Sequence, residues 1–320
     1  MQAFILAGGF ATRLWPLTEK RAKPLLPLAG RPLISHLIEK IPEHIPVIVS
    51  TNAAFFPGFQ EWESTVPLNR HVRLLVETSR SDAQKMGALG ALAEWITQEN
   101  VQDDILLLTG DNYLGFSLTH FLSAARQGVP LLASHDIGDR GKASSFGTVL
   151  VDPAHPTSIT GFEEKPKEPK TSLVSTGCSL LPKDVLPLLL AFAADHPDNV
   201  GGIFEELLRK HIPVDCFAFE QPWLDIGSFS SYLEAHRLLV GPHALLDPDA
   251  TLDTSACHGS VAIGAGSKVR GSELADCIVF DHCDIENCVL RNCIIDDHCV
   301  LRGIDLDDQM IRTGTVLTRS

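Results

Sequence analysis

The sequence predicts an α/β domain built on a mostly parallel sheet flanked by helices, followed by a short parallel β-helix of hexapeptide repeats. Two observations predict it. Over roughly the first 240 residues, short apolar runs alternate with segments of helical period, the pattern of strands joined through helices. From about Leu252 the helical period vanishes, and small or apolar residues return every five or six positions. The change of pattern divides the chain into a first domain at residues 1–241 and a second at 242–320.

In chain order, Ala3–Ala7, Pro46–Ser50, Arg73–Glu77, Asp104–Thr109 and Pro130–Ser134 read as strands. The unbroken run Ile105-Leu106-Leu107-Leu108 is what a strand buried on both faces looks like. Helical spacing covers Leu33–Ile41, Asp82–Gln98 with Ser81 as its cap, Leu118–Gln127, Lys183–Ala194, Ile203–His211, and Phe229–Val240 with Ser228 as its cap. In the tail, Cys277-Ile278, Cys288-Val289, Cys293-Ile294 and Cys299-Val300 follow at steps of 11, 5 and 6, with turn pairs such as Asp-His and Glu-Asn between them. Each side of about six residues turns one residue inward and three sides close a coil, so the tail holds three or four coils. The late cysteines then read as small core residues of one inward column. A zinc reading is weaker: there is no Cys-x2-Cys pair, and the adjacent His-Cys residues of a strand point to opposite faces.

Composition bounds the function. With 44% apolar and 21% charged residues in 320, the chain is globular rather than disordered. Its apolar runs fall well short of the ~18 residues that span a membrane. The N-terminus runs straight into a strand and glycines, without the basic start of a signal peptide. Eight cysteines and no leader lead us to expect reduced thiols in the cytoplasm. A net charge of −14 argues against a nucleic-acid partner. The charge is uneven: residues 242–320 carry 13 acidic against 6 basic side chains. Between Met1 and Arg31 the balance reverses, with Arg13, Lys20, Arg21, Lys23 and Arg31 against Glu19, a local setting for a small anion.

That basic stretch contains Leu6-Ala7-Gly8-Gly9-Phe10-Ala11-Thr12-Arg13-Leu14, then Pro16-Leu17-Thr18, Lys23-Pro24 and Gly30-Arg31-Pro32. An apolar strand ends in paired glycines, where bare backbone N–H groups can approach an anion. The spacing is neither Gly-x-Gly-x-x-Gly nor a P-loop. It resembles the signature of the sugar-1-phosphate nucleotidylyltransferases, the glucose-1-phosphate thymidylyl/uridylyl- and mannose-1-phosphate guanylyltransferase-like enzymes. Further matching segments follow in order: Gly110-Asp111-Asn112, Phe146-Gly147-Thr148, Phe162-Glu163-Glu164-Lys165-Pro166, Thr176-Gly177 and Trp223-Leu224-Asp225-Ile226-Gly227. The resemblance implies a Rossmann-like sheet and, for the tail, a left-handed β-helix.

It also implies Mg²⁺-dependent transfer of a nucleotidyl group from a nucleoside triphosphate to a hexose 1-phosphate, releasing pyrophosphate. Both reactants are anions. Two unit charges ~4 Å apart repel by about 4 kcal/mol at an effective dielectric near 20, so cations must bring them together. The nucleophile is a phosphate oxygen already deprotonated at neutral pH, so catalysis is positioning plus electrostatic stabilisation. By matching positions, Arg13, Lys23, Asp111 and Asp225 are the catalytic residues. Asp111 and Asp225 hold the Mg²⁺, Arg13 binds the triphosphate, and Lys23 lies near the α-phosphate. Leu6, Ala7, Gly8, Gly9, Ala11, Thr12 and Gly87 line the nucleotide, while Gly147, Glu164, Lys165 and Thr176 take the sugar phosphate. Two departures stand out. Ala11 replaces the usual glycine, so its backbone is expected either to avoid positive φ or to be strained there. Cys178-Ser179 follows Thr176-Gly177 where an aromatic is common. Gly87-Ala88-Leu89-Gly90-Ala91-Leu92 is closer to the guanylyl type than to the thymidylyl type, and the hexose is left open.

Two alternatives belong to other classes. A catalytically inactive regulatory or scaffolding subunit would keep the fold, but Arg13, Lys23, Asp111, Lys165 and Asp225 are all retained. An acyltransferase would need a longer β-helix with a base in a cleft between coils. The tail is expected to serve assembly into a homo-oligomer through its open coil edges, with neither nucleic acid nor membrane as partner.

Overall fold

The computed structural model describes residues 1–77 and 86–319. The chain folds into two units. One comprises Met1–Gly9 and His36–Trp223; the other comprises Phe10–Ser35 and Leu224–Ser320.

The first unit holds a nine-stranded sheet. Gln2–Leu6 lies between Val47–Asn52 and Ile105–Thr109, with Val72–Glu77 outside, and all four run parallel. Phe4 pairs with both Ile48 and Leu107, and all three are buried. Trp95 of the helix Ala88–Gln98 packs on Phe4 with ring centroids 4.8 Å apart. Beyond Ile105–Thr109 the sheet turns mixed. Leu173–Leu181 runs antiparallel to it, with Cys178 opposite Leu108. Leu131–Asp136, Asp215–Phe219, His155–Glu164 and Gly147–Asp152 continue to the far edge. Three of these strands and Leu173–Leu181 have no counterpart in the sequence reading; Asp215–Phe219 lies inside the sheet, parallel to Leu131–Asp136 and antiparallel to His155–Glu164. His155–Glu164, antiparallel to its neighbours, breaks its apolar run with polar residues and leaves its first half mostly exposed.

The helices differ from the sequence expectation where the chain has other commitments. The segment expected as Leu118–Gln127 is helical only over Leu118–Ser123. Past it, Arg126 reaches away to grip Asp215 with two bonds of 2.6 Å, and Gly128 takes φ 73°. The helix expected from Asp82 is described from Ala88, because Gly87 sits at φ 87°; the expected Ser81 cap lies outside the described residues. Its first amides are satisfied instead by the carbonyl of Pro197, which accepts from Leu89 N at 2.8 Å and Gly90 N at 3.0 Å. A helix at Phe56–Glu63 has no counterpart in the sequence reading. Among the described residues, no helix is long and apolar enough to cross a membrane.

The second unit is a parallel β-helix of two five-stranded sheets and one four-stranded sheet, together with the helix Phe229–Val240 and residues 10–35. The coil repeat places Ile278 over Ile294 over Met310, a step of 16 residues rather than three equal sides of six. Coils begin at Ala244, earlier than the sequence suggests, and exceed the three or four expected: strands stack from Ala244–Leu246 through Met310–Ile311. Each corner needs a left-handed residue. From Gly266 to Gly314 these recur every five or six positions: Gly271, Asp276, His282, Asn287, Asn292, His298, Gly303 and Asp308 all have positive φ. Glycine, Asn, Asp and His tolerate that region best, so the turn pairs visible in the sequence are the corners.

From Gly259 to His298 the residue after each glycine, Asp, Asn or His corner is a small, buried Ser or Cys. Cys277, Cys283, Cys288, Cys293 and Cys299 are all buried at such positions, alongside Ser260, Ser267 and Ser272. Their thiols bond to coil carbonyls: Cys288 donates to Glu286 O at 3.2 Å and Cys283 to Asp296 O at 3.1 Å. These are core residues, and all eight cysteines are free thiols. The helix Phe229–Val240 starts as the sequence indicates, with Ser228 and Ser231 forming a capping box. Its Tyr232, fully buried, donates to Pro27 O at 2.5 Å.

Candidate active site

In the first unit, the parallel strands Gln2–Leu6, Val47–Asn52 and Ile105–Thr109 end side by side, the favoured place for a site in an open α/β sheet. Leu6 and Ala7 are held by the ladder: Ala7 N donates to Ser50 O, and Leu6 O accepts from Gly110 N at 2.8 Å. Asn52, fully buried, donates through Nδ2 to Gly8 O at 2.8 Å and accepts at Oδ1 from the amides of Ala54 and Phe55. It therefore fixes the start of the glycine turn. A Cβ at Gly8 would come 3.0 Å from Glu77 Oε1, whereas at Gly9 it would meet nothing within 4 Å among the described residues.

Asp111 lies in the turn after Ile105–Thr109 and is partly buried. Asn112 orients it, donating through Nδ2 to Asp111 Oδ1 at 2.8 Å and to Thr109 Oγ1 at 2.7 Å. Trp223 Nε1 in turn donates to Asn112 Oδ1 at 2.8 Å. Gly177, at φ 70°, packs on Thr109, where a Cβ would overlap the side chain.

Glu164 and Lys165 border a cavity of about 380 Å³ completed by His196, Pro197, Asp198 and Asn199. Lys165 Nζ stands 3.5 Å from Glu164 Oε1, and burial raises the Glu164 carboxyl above its ordinary range. Gly147 and Gly201 make room for that carboxylate, because a Cβ on either would press against Glu164 Oε2. Lys165 itself is left-handed at φ 45°, an uncommon conformation for a non-glycine residue. Thr176 is buried, with its hydroxyl donated to Ala133 O at 2.9 Å. Gly87 packs on the backbone of Pro197, so the segment leading into the helix Ala88–Gln98 and the cavity wall share one residue.

In the second unit, Arg13, Lys23 and Asp225 come together around Gly227. Lys23, 6% exposed, places Nζ 3.5 Å from Asp225 Oδ1. A Cβ on Gly227 would lie 3.2 Å from Asp225 Oδ2 and 3.6 Å from Arg13 Nη2. Arg13 belongs to the short helix Thr12–Leu14, which Ala11 initiates at φ 46°, ψ 46°. Of the two expectations for Ala11, avoidance of positive φ is therefore corrected. Alanine here takes a left-handed conformation, with Thr18 Oγ1 donating to Ala11 O at 2.8 Å to hold the turn.

Asp111 and Asp225 are hard oxygen donors of the kind magnesium takes. Magnesium is ordinarily held by one or two carboxylates together with substrate phosphates and water, and Asp111 in the first unit and Asp225 in the second each offer a carboxylate of that kind. The sequence reading does not mark Asn112, Asn52, Glu77, Pro197 or Gly201 as site residues. The one signal it offers for them is a polar residue at the end of an apolar strand, as in Ser50-Thr51-Asn52.

The Nucleotidyl transferase family model matches residues 2–240. The chain belongs to the nucleotidyl transferase family. This nucleotidyl transferase is 25% identical over 247 residues to the bifunctional protein GlmU of Methanocaldococcus jannaschii, covering 75% of the present chain and 54% of that protein. It thus spans about half the length of that relative. It is 24% identical over 287 residues to a protein of Sulfolobus acidocaldarius provisionally named mannose-1-phosphate guanyltransferase, covering 85% and 75% of the two chains. A crystal structure from Bacillus anthracis, provisionally a glucose-1-phosphate thymidylyltransferase and bound to a sucrose, shares the fold at a TM-score of 0.63 and 22% identity, over 74% of this chain and 94% of that one.

Proposed function

We propose that this nucleotidyl transferase moves a nucleotidyl group from a nucleoside triphosphate to a hexose 1-phosphate. A phosphate oxygen of the sugar phosphate attacks the α-phosphorus, the bond from that phosphorus to the bridging β-phosphate oxygen breaks, and pyrophosphate leaves with the electron pair. The observation that carries the reading is the gathering of Arg13 and Lys23 with Asp225 about Gly227, two cations and a carboxylate from opposite ends of the matched region. Arg13 binds the triphosphate and offsets charge on the leaving pyrophosphate, while Lys23 stands at the α-phosphate. Lys165 binds the phosphate of the sugar, and Glu164 accepts hydrogen bonds from ring hydroxyls. The backbone at Gly8 and Gly9, where among the described residues nothing lies within 4 Å of a Cβ at Gly9, admits the nucleotide. Asp111 and Asp225 hold Mg²⁺, which when bound supplies neutralisation of phosphate charge. Domain boundaries at 1–241 and 242–320, a cytoplasmic setting and homo-oligomeric assembly through the β-helix complete the proposal.

The test is pyrophosphate release across a panel of nucleoside triphosphates and hexose 1-phosphates, with magnesium and with a chelator. Turnover that needs both substrates and disappears with the chelator supports the reading. Silence across the whole panel overturns it and favours a non-catalytic subunit of the same fold.

A further inference from the structure

Arg21 belongs to the basic N-terminal stretch, yet the proposed chemistry gives it no role. Its guanidinium ion-pairs with Asp297 through Nη2, stands 3.8 Å from Asp296 Oδ1 through Nη1, and lies over the Phe280 ring at 5.1 Å. All three partners belong to β-helix coils. Two of them are rigidly held. Asp297 Oδ1 accepts the Asp281 amide at 3.1 Å and its carbonyl accepts the Gly314 amide at 2.8 Å, while Asp296 Oδ1 accepts the Asp297 amide at 2.8 Å. Phe280 is 1% exposed and Asp296 is 5% exposed. A flexible charged side chain would be a poor tether; a planar guanidinium between two backbone-pinned carboxylates and an aromatic face is a firm one.

The tethered segment is stiff. Thr18 is tied to Ala11 O, Leu14 and Leu17 are each 1% exposed, and Lys23 opens the short helix Lys23–Leu25. Glu19 adds a second link to the tail through Arg312 at 3.1 Å. Displacement at Arg21 therefore reaches Lys23, two residues on, and Arg13 at the other end of the same segment.

We propose that Arg21 is a positioning residue that fastens the Arg13–Lys23 segment to the β-helix, which makes the β-helix part of the triphosphate site rather than an assembly module alone. This rests on the transferase reading above. It also explains why residues 10–35 fold with the tail and not with the strand that precedes them.

Full-length Arg21→Ala, Arg21→Lys and Asp297→Asn proteins test it by hydrogen exchange and by kinetics. In Arg21→Ala, amides of residues 10–20 should exchange at least about tenfold faster, while those of Ile105–Thr109 keep their protection. The kcat/KM for the triphosphate should fall about 100-fold with the KM for the sugar phosphate nearly unchanged. Arg21→Lys should recover part of both effects, and Asp297→Asn should reproduce a milder form of them. Unchanged exchange in residues 10–20, or equal losses for both substrates, overturns the proposal. An inactive wild-type protein whose Arg21→Ala variant still exchanges faster in residues 10–20 would sink the transferase reading while leaving the fastening intact.

Discussion

Lys23 Nζ stands 3.5 Å from Asp225 Oδ1, a pair separated by 202 residues of sequence. The lysine is 6% exposed and faces that carboxylate from the protein interior. Lys23→Met and Asp225→Asn should each lower kcat by at least about 100-fold, since each removes charge from the reacting centre. In urea melts the double variant should lose less stability than the two singles combined, by about 1 kcal/mol or more. Strict additivity would show that the pair is not coupled.

Asp111→Asn keeps the shape of the turn and its contact with Asn112 but removes a hard anionic ligand. A fall in kcat of about 100-fold is expected, with a higher magnesium concentration needed for half-maximal rate and a melting temperature close to wild type. A normal magnesium dependence would remove Asp111 from the metal.

Lys165 combines a charge with a left-handed backbone at φ 45°. Lys165→Ala should raise KM for the sugar phosphate about tenfold or more, through loss of a charge-assisted contact, and leave the triphosphate KM alone. Lys165→Gly should show the same kinetic loss yet be more stable than Lys165→Ala by about 1 kcal/mol, because glycine adopts that φ without cost. A loss confined to nucleotide affinity would place Lys165 elsewhere.

The same reasoning at Ala11, φ 46°, predicts that Ala11→Gly stabilises by up to about 1 kcal/mol and Ala11→Val destabilises by more than that. Chemical denaturation of the three proteins decides it.

His236 is fully buried in the helix Phe229–Val240, and among the described residues neither ring nitrogen has a hydrogen-bond partner. Burial pushes its pKa down to about 4. Above pH ~6.5 both folded and unfolded chains carry it neutral. Between ~6.5 and about 4 the unfolded chain takes a proton the folded one refuses, so up to ~3 kcal/mol is lost as pH falls. Asp296, which burial pushes up to about 6, acts in the opposite sense, losing stability as pH rises from ~4 to about 6. His236→Leu should therefore flatten the acid limb of a pH–stability profile and leave the neutral limb unchanged.

The strand-rich parallel core, the helix capped by Ser228 and the cysteine-bearing coils are legible in the sequence because each is written in local periodicity or local turn chemistry. Asn, Asp, His and Gly at five- or six-residue steps mark corners that only left-handed residues can turn. What no local pattern carries is pairing across distance. Leu173–Leu181 enters the middle of the sheet antiparallel, residues 10–35 join the tail, Pro197 caps a helix far upstream, and Arg21 finds Asp297. Such pairings depend on which surfaces burial brings together, and that is decided by packing the whole chain rather than by any window along it.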